Sequence, residues 1–305
     1  MKKKKTSFLT IIFLIMIFLY SNRNTIIKMY NDYQNPKKEE TSKRVISDTQ
    51  ESDILSIYYL DVGQADSMLI TYQDKDILID AGNNEDGPKL VNYFKSLNIT
   101  KFDYVFGTHP HEDHIGGMDD IINNFEINNF YMPDVVTTTK TFEDILNSME
   151  EKNLQFKTPN IDDEYKIGDI KLKVLYVGKE SNDLNDTSIV LKLTYKDTSY
   201  LFTGDATKKV ENKLLTKDIE SDVLKVGHHG SQYSTSNEFL EKVNPKYAII
   251  EVGKNNIYKH PKEVTLTKLD NMKIKYYRTD MDGTILLKSD GENISFEKLQ
   301  TDTNG

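Results

Sequence analysis

The heptapeptide Thr108-His109-Pro110-His111-Glu112-Asp113-His114 decides how this chain is read. Only six histidines occur in 305 residues, and three of them fall within six positions here. The stretch follows an apolar strand expected over Asp103–Gly107 and precedes a helix expected to open at Gly116-Gly117, which places it on a loop at a strand's C-terminal end. In extended chain, residues i and i+2 face the same way, so His109, His111 and Asp113 are expected to converge while His114 turns to a neighbouring point. Imidazoles and a carboxylate so close together suit zinc or another borderline divalent ion.

Working outward, the other polar candidates share this setting. Asp80 ends the run Ile77-Leu78-Ile79 and precedes Ala81-Gly82; Asp205 ends Tyr200-Leu201-Phe202-Thr203-Gly204. His228-His229-Gly230-Ser231 ends Val223-Leu224-Lys225-Val226, and His260-Pro261 follows Ala248–Val252 by a short loop. An Asp after a strand is usually a turn or cap residue when it stands alone. Five such positions, together holding every histidine, form a constellation at strand ends, where loops gather into sites. Ser231 is expected to orient its loop by hydrogen bonding.

The scaffold is legible from apolar periodicity. Short β-branched runs recur at Ile54–Leu60, Met68–Tyr72, Ile77–Ile79, Tyr104–Phe106, Ile170–Tyr176, Ser188–Tyr195, Tyr200–Phe202, Val223–Val226, Tyr247–Val252 and Ile285–Leu287. Amphipathic spacing marks helices over Leu90–Leu97, Met118–Phe125, Phe142–Lys152, Lys208–Leu215, Glu238–Val243 and Val264–Leu269. The strands come in two groups, before about Tyr131 and after about Tyr165, so the expected fold class is α/β (α+β): two mixed sheets face to face with helices outside. One domain is expected over 53–299, with a tail at 300–305.

Composition narrows the function classes. Without cysteine the chain has no disulfide, thiolate ligand, cysteine nucleophile or iron–sulfur cluster. Residues 1–30 carry six bases and no acid; the remaining 275 carry 33 bases against 48 acids, a net charge of −15. So acidic a body has no diffuse attraction for nucleic acid, and a polyanion must be held locally or by bound metal. Lys2 to Lys5 followed by the fourteen-residue apolar run Ser7–Tyr20 read as a secretory signal or signal-anchor over residues 1–30, and the polar stretch 31–52 as a tether. The expectation is an exported domain, membrane-anchored outside the cytoplasm or secreted if the segment is cleaved. No obligate protein partner is expected.

These motifs carry a resemblance. Leu60-Asp61-Val62-Gly63-Gln64-Ala65-Asp66-Ser67, Leu78–Gly82, the His109–Gly117 cluster, Asn185-Asp186-Thr187-Ser188, Phe202–Ala206, Leu224–Ser231 and His260-Pro261 stand in the order found in the metallo-β-lactamase superfamily. The chain resembles, within it, the hydrolase domain of ComEC-type competence proteins. The resemblance implies an αββα sandwich with a dinuclear site on one rim, holding two zinc ions, with manganese as the alternative. It implies that His109 and His111 hold the first metal, Asp113 and His114 the second, and Asp205 both. Asp80 would orient the cluster from behind, and His228, His229 and His260 would complete the ligand and catalytic shell. Many relatives carry a further histidine between the cluster and the bridging Asp; here Asn185 and Asp186 stand in that region, and His228 is the candidate replacement.

The implied chemistry is hydrolysis by a metal-bridging hydroxide, with Asp113, His229 and His260 as the catalytic candidates. Three readings compete: a phosphodiester hydrolase whose substrate includes single-stranded extracellular DNA, an exported hydrolase of a phosphocholine ester, lactone or other small ester, and a non-catalytic binding module. For DNA, Tyr233 and Tyr258 are candidates for stacking on bases, and Lys225 and Lys259 for local charge. No second long apolar run is present for a multi-span channel, so the chain itself is not expected to transport DNA.

Overall fold

In β1 (Leu55–Tyr59) the residues Leu55, Ile57 and Tyr59 are buried while Ser56 and Tyr58 between them are partly exposed, the period-two pattern of a strand with one face on a core. The computed structural model describes residues 53–179 and 181–299. The N-terminal segment 1–30, the linker 31–52 and the tail 300–305 lie outside the described residues. Among the described residues no helix is long and apolar enough to cross a membrane.

After β1 the strands are β2 (Met68–Tyr72), β3 (Lys75–Ile79), β4 (Lys101–Phe102), β5 (Tyr104–Phe106), β6 (Glu126–Ile127), β7 (Phe130–Tyr131), β8 (Phe156–Lys157) and β9 (Glu164–Ile167). There follow β10 (Ile170–Tyr176), β11 (Val190–Tyr195), β12 (Thr198–Phe202), β13 (Val223–Lys225), β14 (Tyr247–Ile250), β15 (Lys275–Arg278), β16 (Thr284–Ser289) and β17 (Ile294–Leu299). One large sheet has the order β17-β16-β1-β2-β3-β5-β7-β8, a second the order β15-β14-β13-β12-β11-β10-β9, and β4 and β6 pair in a small parallel sheet of their own. The expected split by sequence position therefore holds except at the C-terminus, where β16 and β17 return to the first sheet and pair antiparallel beside β1.

Between the sheets lies one apolar core, with Ile57, Ile70 and Ile79 on one side and Leu172, Leu191 and Phe202 on the other. The helices α1 (Gly87–Ser96), α2 (Glu112–Ile115), α3 (Met118–Asn124) and α4 (Lys140–Glu151) precede the second sheet in sequence. Phe94, Ile121 and Phe142 from three of them pack with Leu69 and Leu78 of the first sheet. Helices α5 (Lys208–Leu214), α6 (Asn237–Val243) and α7 (Glu263–Asn271) do the same on the second sheet, where Val210, Phe239 and Leu269 meet Leu201 and Leu224. The result is the four-layer αββα arrangement.

Topology then places the site. β3 and β5 run parallel, as do β12, β13 and β14. Parallel strands deliver their C-terminal ends to one edge. Asp80, the 108–114 loop, Asp205, the 227–230 turn and Glu251 all follow such ends.

Candidate metal centre

The 108–114 loop is extended only as far as His111, whose φ of −86° and ψ of 149° cap the short helix α2. Glu112 and Asp113, acids in a helix's first turn, favour this start. The expected alternation therefore ends at His111. Nε2 of His109 lies 3.0 Å from Nδ1 of His111. Asp113, His114, Asp205 and His229 form a group whose ligand atoms all lie within 4.8 Å of one another, with the His109 ring 4.1 Å from that of His114. The helix expected to open at Gly116-Gly117 is α3, with Gly117 as its N-cap, and α2 is an additional short turn before it. Those glycines let the chain pass against the 81–84 loop, since a Cβ on Gly116 would sit 2.2 Å from the Asn83 carbonyl carbon.

Each ligand is held from behind. Asp80 accepts from the Thr108 amide at 2.7 Å, the Thr108 hydroxyl at 2.8 Å and His114 Nδ1 at 2.8 Å. This turns His114 Nε2 toward Asp205 Oδ1, 3.2 Å away. His229 Nδ1 faces the Glu251 carbonyl oxygen at 2.9 Å, and His229 Nε2 stands 3.2 Å from Asp113 Oδ2. The Asp205 amide donates to Ser188 Oγ at 3.2 Å. Asp80, His228 and His229 have φ of 60°, 52° and 51°, a left-handed conformation that costs non-glycine residues energy and is common where a site demands a particular direction.

The electrostatics fit divalent metal. Burial opposes charge on His114, but Asp205 and Asp80 outweigh it and hold its imidazole well above the ordinary range. Burial opposes the same in His229, yet Asp205 and Asp66 push it up to about 10. Burial disfavours the charge on Asp205, and His114 and His229 overcome it, holding the carboxyl well below its usual value. A buried cradle with this carboxylate excess attracts positive charge, supplied by protons on imidazole or by a cation that displaces them. His114 Nε2 and Asp205 Oδ1 are both buried without a hydrogen-bond partner, as ligand atoms aimed at a common ion would be. The His109–His111 nitrogen separation is also close to the about 3.3 Å expected of two imidazoles on one tetrahedral zinc.

The last three histidines divide. His229 joins the tight group. His228 is partly exposed, with Nε2 3.7 Å from Asp205 Oδ2. His260 lies further out, its ring 5.7 Å from that of His228. Burial, then the neighbouring His228 and His229, push His260 down to about 4, which favours the neutral imidazole, and its Nδ1 is buried without a hydrogen-bond partner. These residues line a cavity of about 330 Å³ with Gln64, His111, Glu112 and Tyr258. A second cavity of about 550 Å³, lined by Asn83, Asn84 and Glu85 among others, shares Gln64, Glu112, Asp113 and Tyr258 with it.

Other sequence candidates fall elsewhere. Asp186 is tied to Lys209 Nζ at 2.7 Å and to the Thr207 hydroxyl, a structural anchor and not a ligand. Asn185 makes only local backbone bonds, and its Oδ1 is buried without a partner. Ser231 is buried, its amide donating to the His228 carbonyl at 2.8 Å and its Oγ accepting from the Tyr233 amide at 3.3 Å, so it shapes the histidine turn. Lys225 does not supply surface charge: it is 0% exposed, its Nζ 2.6 Å from Asp66 Oδ2. Lys259 is exposed, as are Tyr233 at 67% and Tyr258 at 56%, the latter stacked on His260. The sequence assigns no role to Asp66 or Glu251, although Asp66 lies within a quoted motif and Glu251 interrupts an apolar run.

The metallo-beta-lactamase superfamily profile matches residues 60–253. The chain is 32% identical over 249 residues to ComE operon protein 3 of Bacillus subtilis (strain 168), a match covering 74% of this chain and 32% of that protein. It is 28% identical over 230 residues to Competence protein ComA of Neisseria gonorrhoeae, covering 74% and 31%. The chain thus spans about a third of the length of the curated relatives it matches. Among solved structures it is similar to the metallo-beta-lactamase fold protein YhfI from Bacillus subtilis, with a TM-score of 0.55 and 11% identity over 77% of this chain and 100% of that one. CmlA, a diiron beta-hydroxylase from Streptomyces venezuelae, gives a TM-score of 0.52 and 14% identity over 80% and 54%. At such identities the likeness is one of fold alone.

Proposed function

The chain belongs to the metallo-beta-lactamase superfamily and is a metal-dependent hydrolase, and from that premise we propose that its substrate is a phosphodiester, with a single strand of extracellular nucleic acid as the best fit. His109 and His111, supplemented by His228, would hold one zinc ion; Asp113, His114 and His229 would hold another, with Asp205 between them. Manganese is the alternative metal. Bound ions of this kind lower the pKa of water and polarise the phosphoryl group. The chain's own residues do the rest. Asp80 and Thr108 fix the His114 ring, the Glu251 carbonyl fixes His229, and His260 offers a neutral imidazole at the mouth.

The observation that carries the substrate reading is the half-exposed Tyr258 ring stacked on His260 at the edge of the ligand cavity. A base next to the scissile phosphate can lie on such a ring without sequence preference. The competence proteins among the relatives support the same direction. We also propose that residues 1–30 carry the domain out of the cytoplasm; protease added to intact cells should then digest it, and complete protection would oppose export.

One observation favours a second reading. Glu85, Glu112, Asp113 and Tyr258 line the neighbouring 550 Å³ cavity, a setting that suits a cation such as choline better than a second phosphate. Hydrolysis of single-stranded DNA, duplex DNA, bis-p-nitrophenyl phosphate, p-nitrophenyl phosphorylcholine and a lactone by the metal-loaded protein separates the two. Cleavage of the phosphorylcholine ester alone would favour the second.

A further inference from the structure

Beneath the ligands lies a charged group that the hydrolytic reading does not use. Lys225 is the last residue of β13, and Lys225, Asp66 and Glu251 are each 0% exposed. Lys225 Nζ donates to Asp66 Oδ2 at 2.6 Å and to the Val226 carbonyl at 3.1 Å, with Glu251 Oε2 at 3.9 Å. Glu251 Oε1 in turn accepts from the Ser67 amide at 3.1 Å. The other oxygen of Asp66, Oδ1, stands 3.2 Å from His229 Nδ1 as an ion-pair contact, while the hydrogen bond of that nitrogen goes to the Glu251 carbonyl at 2.9 Å. The Asp66 backbone is also committed: its amide donates to the Asp113 carbonyl at 3.0 Å, and its carbonyl accepts from the Gly82 amide at 2.9 Å. One residue is therefore bonded to the loops that carry Asp113, Asp80 and His229.

We propose that Lys225 is a positioning residue: acting through Asp66, it fixes the ring direction and the metal-facing nitrogen of His229, and with them the affinity of the protein for divalent metal. The proposal rests on the metal-dependent reading above. Both oxygens facing His229 Nδ1, Asp66 Oδ1 and the Glu251 carbonyl, are acceptors, so Nδ1 carries the hydrogen and Nε2 is left to face Asp113 and Asp205. By holding Oδ2, Lys225 leaves Oδ1 as the oxygen that meets the ring. A buried ion pair usually adds little stability over an apolar pair of the same size, because both charges lose their hydration. What it adds here is direction. Lys225 reaches neither solvent nor the cavity, so contact with substrate does not account for it.

The test uses the full-length protein and zinc alone. Zinc affinity is measured by competition with a chromophoric chelator for the wild type, Lys225→Met, Asp66→Asn and the double variant. Loss of a supporting partner of this kind costs roughly 10–100-fold in metal affinity. Each single variant is expected to fall in that range, and the double variant to lose no more than the worse single one, because both act along one path. Nitrogen NMR of the zinc-loaded protein should show a protected Nδ1–H on His229, identified by its absence in His229→Gln, and weaker protection in Asp66→Asn, where the Glu251 carbonyl is the acceptor that remains. The double variant removes both members of the closest charge pair while Glu251 keeps its bond from the Ser67 amide, so it keeps the test falsifiable if Lys225→Met fails to fold. A folded double variant with wild-type zinc affinity, or one changed only in melting temperature, would overturn the proposal. A wild-type protein that binds neither zinc nor manganese would overturn the metal-dependent reading and this proposal together.

Discussion

The floor of the site and its mouth are built differently. On the floor, Asp66, Asp80, His114, Asp205, Lys225 and His229 are buried at 1% exposure or less, and each bonds to a side chain or backbone group from another loop. At the mouth, Tyr258, which lines the cavity beside His260, is 56% exposed. Groups locked before a ligand arrives need no reorganisation when charge develops, whereas exposed rings on a loop can adapt to different partners. The floor thus sets the chemistry and the mouth selects what is brought to it, so the two should respond separately to substitution.

The largest expected effect is on the floor. Asp205→Ala should lower kcat/KM by on the order of 10³-fold or more, about 4 kcal/mol of transition-state stabilisation, with metal content falling in parallel by elemental analysis. Near-normal turnover would show that the floor is assigned wrongly. Asp80→Ala comes next. It strips three hydrogen-bonded donors of their acceptor without removing a proposed ligand, and zinc affinity should fall roughly 10–100-fold in a chelator competition.

The mouth should give smaller and more selective changes. Tyr258→Ala should reduce cleavage of single-stranded DNA by about tenfold, since stacking on one base is worth about 1–3 kcal/mol. Metal content and hydrolysis of bis-p-nitrophenyl phosphate should stay as in the wild type. A loss shared equally by both substrates would tie Tyr258 to the floor and break the comparison. The smallest effect is that of salt. With few phosphates neutralised, the logarithm of DNA affinity against that of salt should have a slope of about −1.4, corresponding to about two phosphates on a single strand. A much steeper slope would require a basic surface that the acidic body and the buried Lys225 do not provide.

The floor's ligands were legible because the residue types able to hold metal are few, and here they sit at the ends of recognisable apolar runs. Its supports were not. In Val223-Leu224-Lys225-Val226 a lysine reads as the solvent side of a strand, and only the helices packed over this sheet show that both faces are closed. Glu251 is hidden by the same logic at the end of β14. The turn at Glu112 was missed because an alternating pattern of histidines reads as extended chain until an acid pair starts a helix. The strands β15 and β17 escaped notice because they form sheet edges, where Lys275, Glu297 and Lys298 interrupt the apolar alternation. That β16 pairs with β1 is a long-range register no local pattern contains.

The central claim is tested most directly by following hydrolysis of bis-p-nitrophenyl phosphate by the full-length protein, first stripped by chelator and then reloaded with zinc or manganese. The account predicts no turnover in the stripped protein and its return as about two ions bind per chain. Undiminished turnover in chelator, or no turnover after two ions are bound, would contradict it.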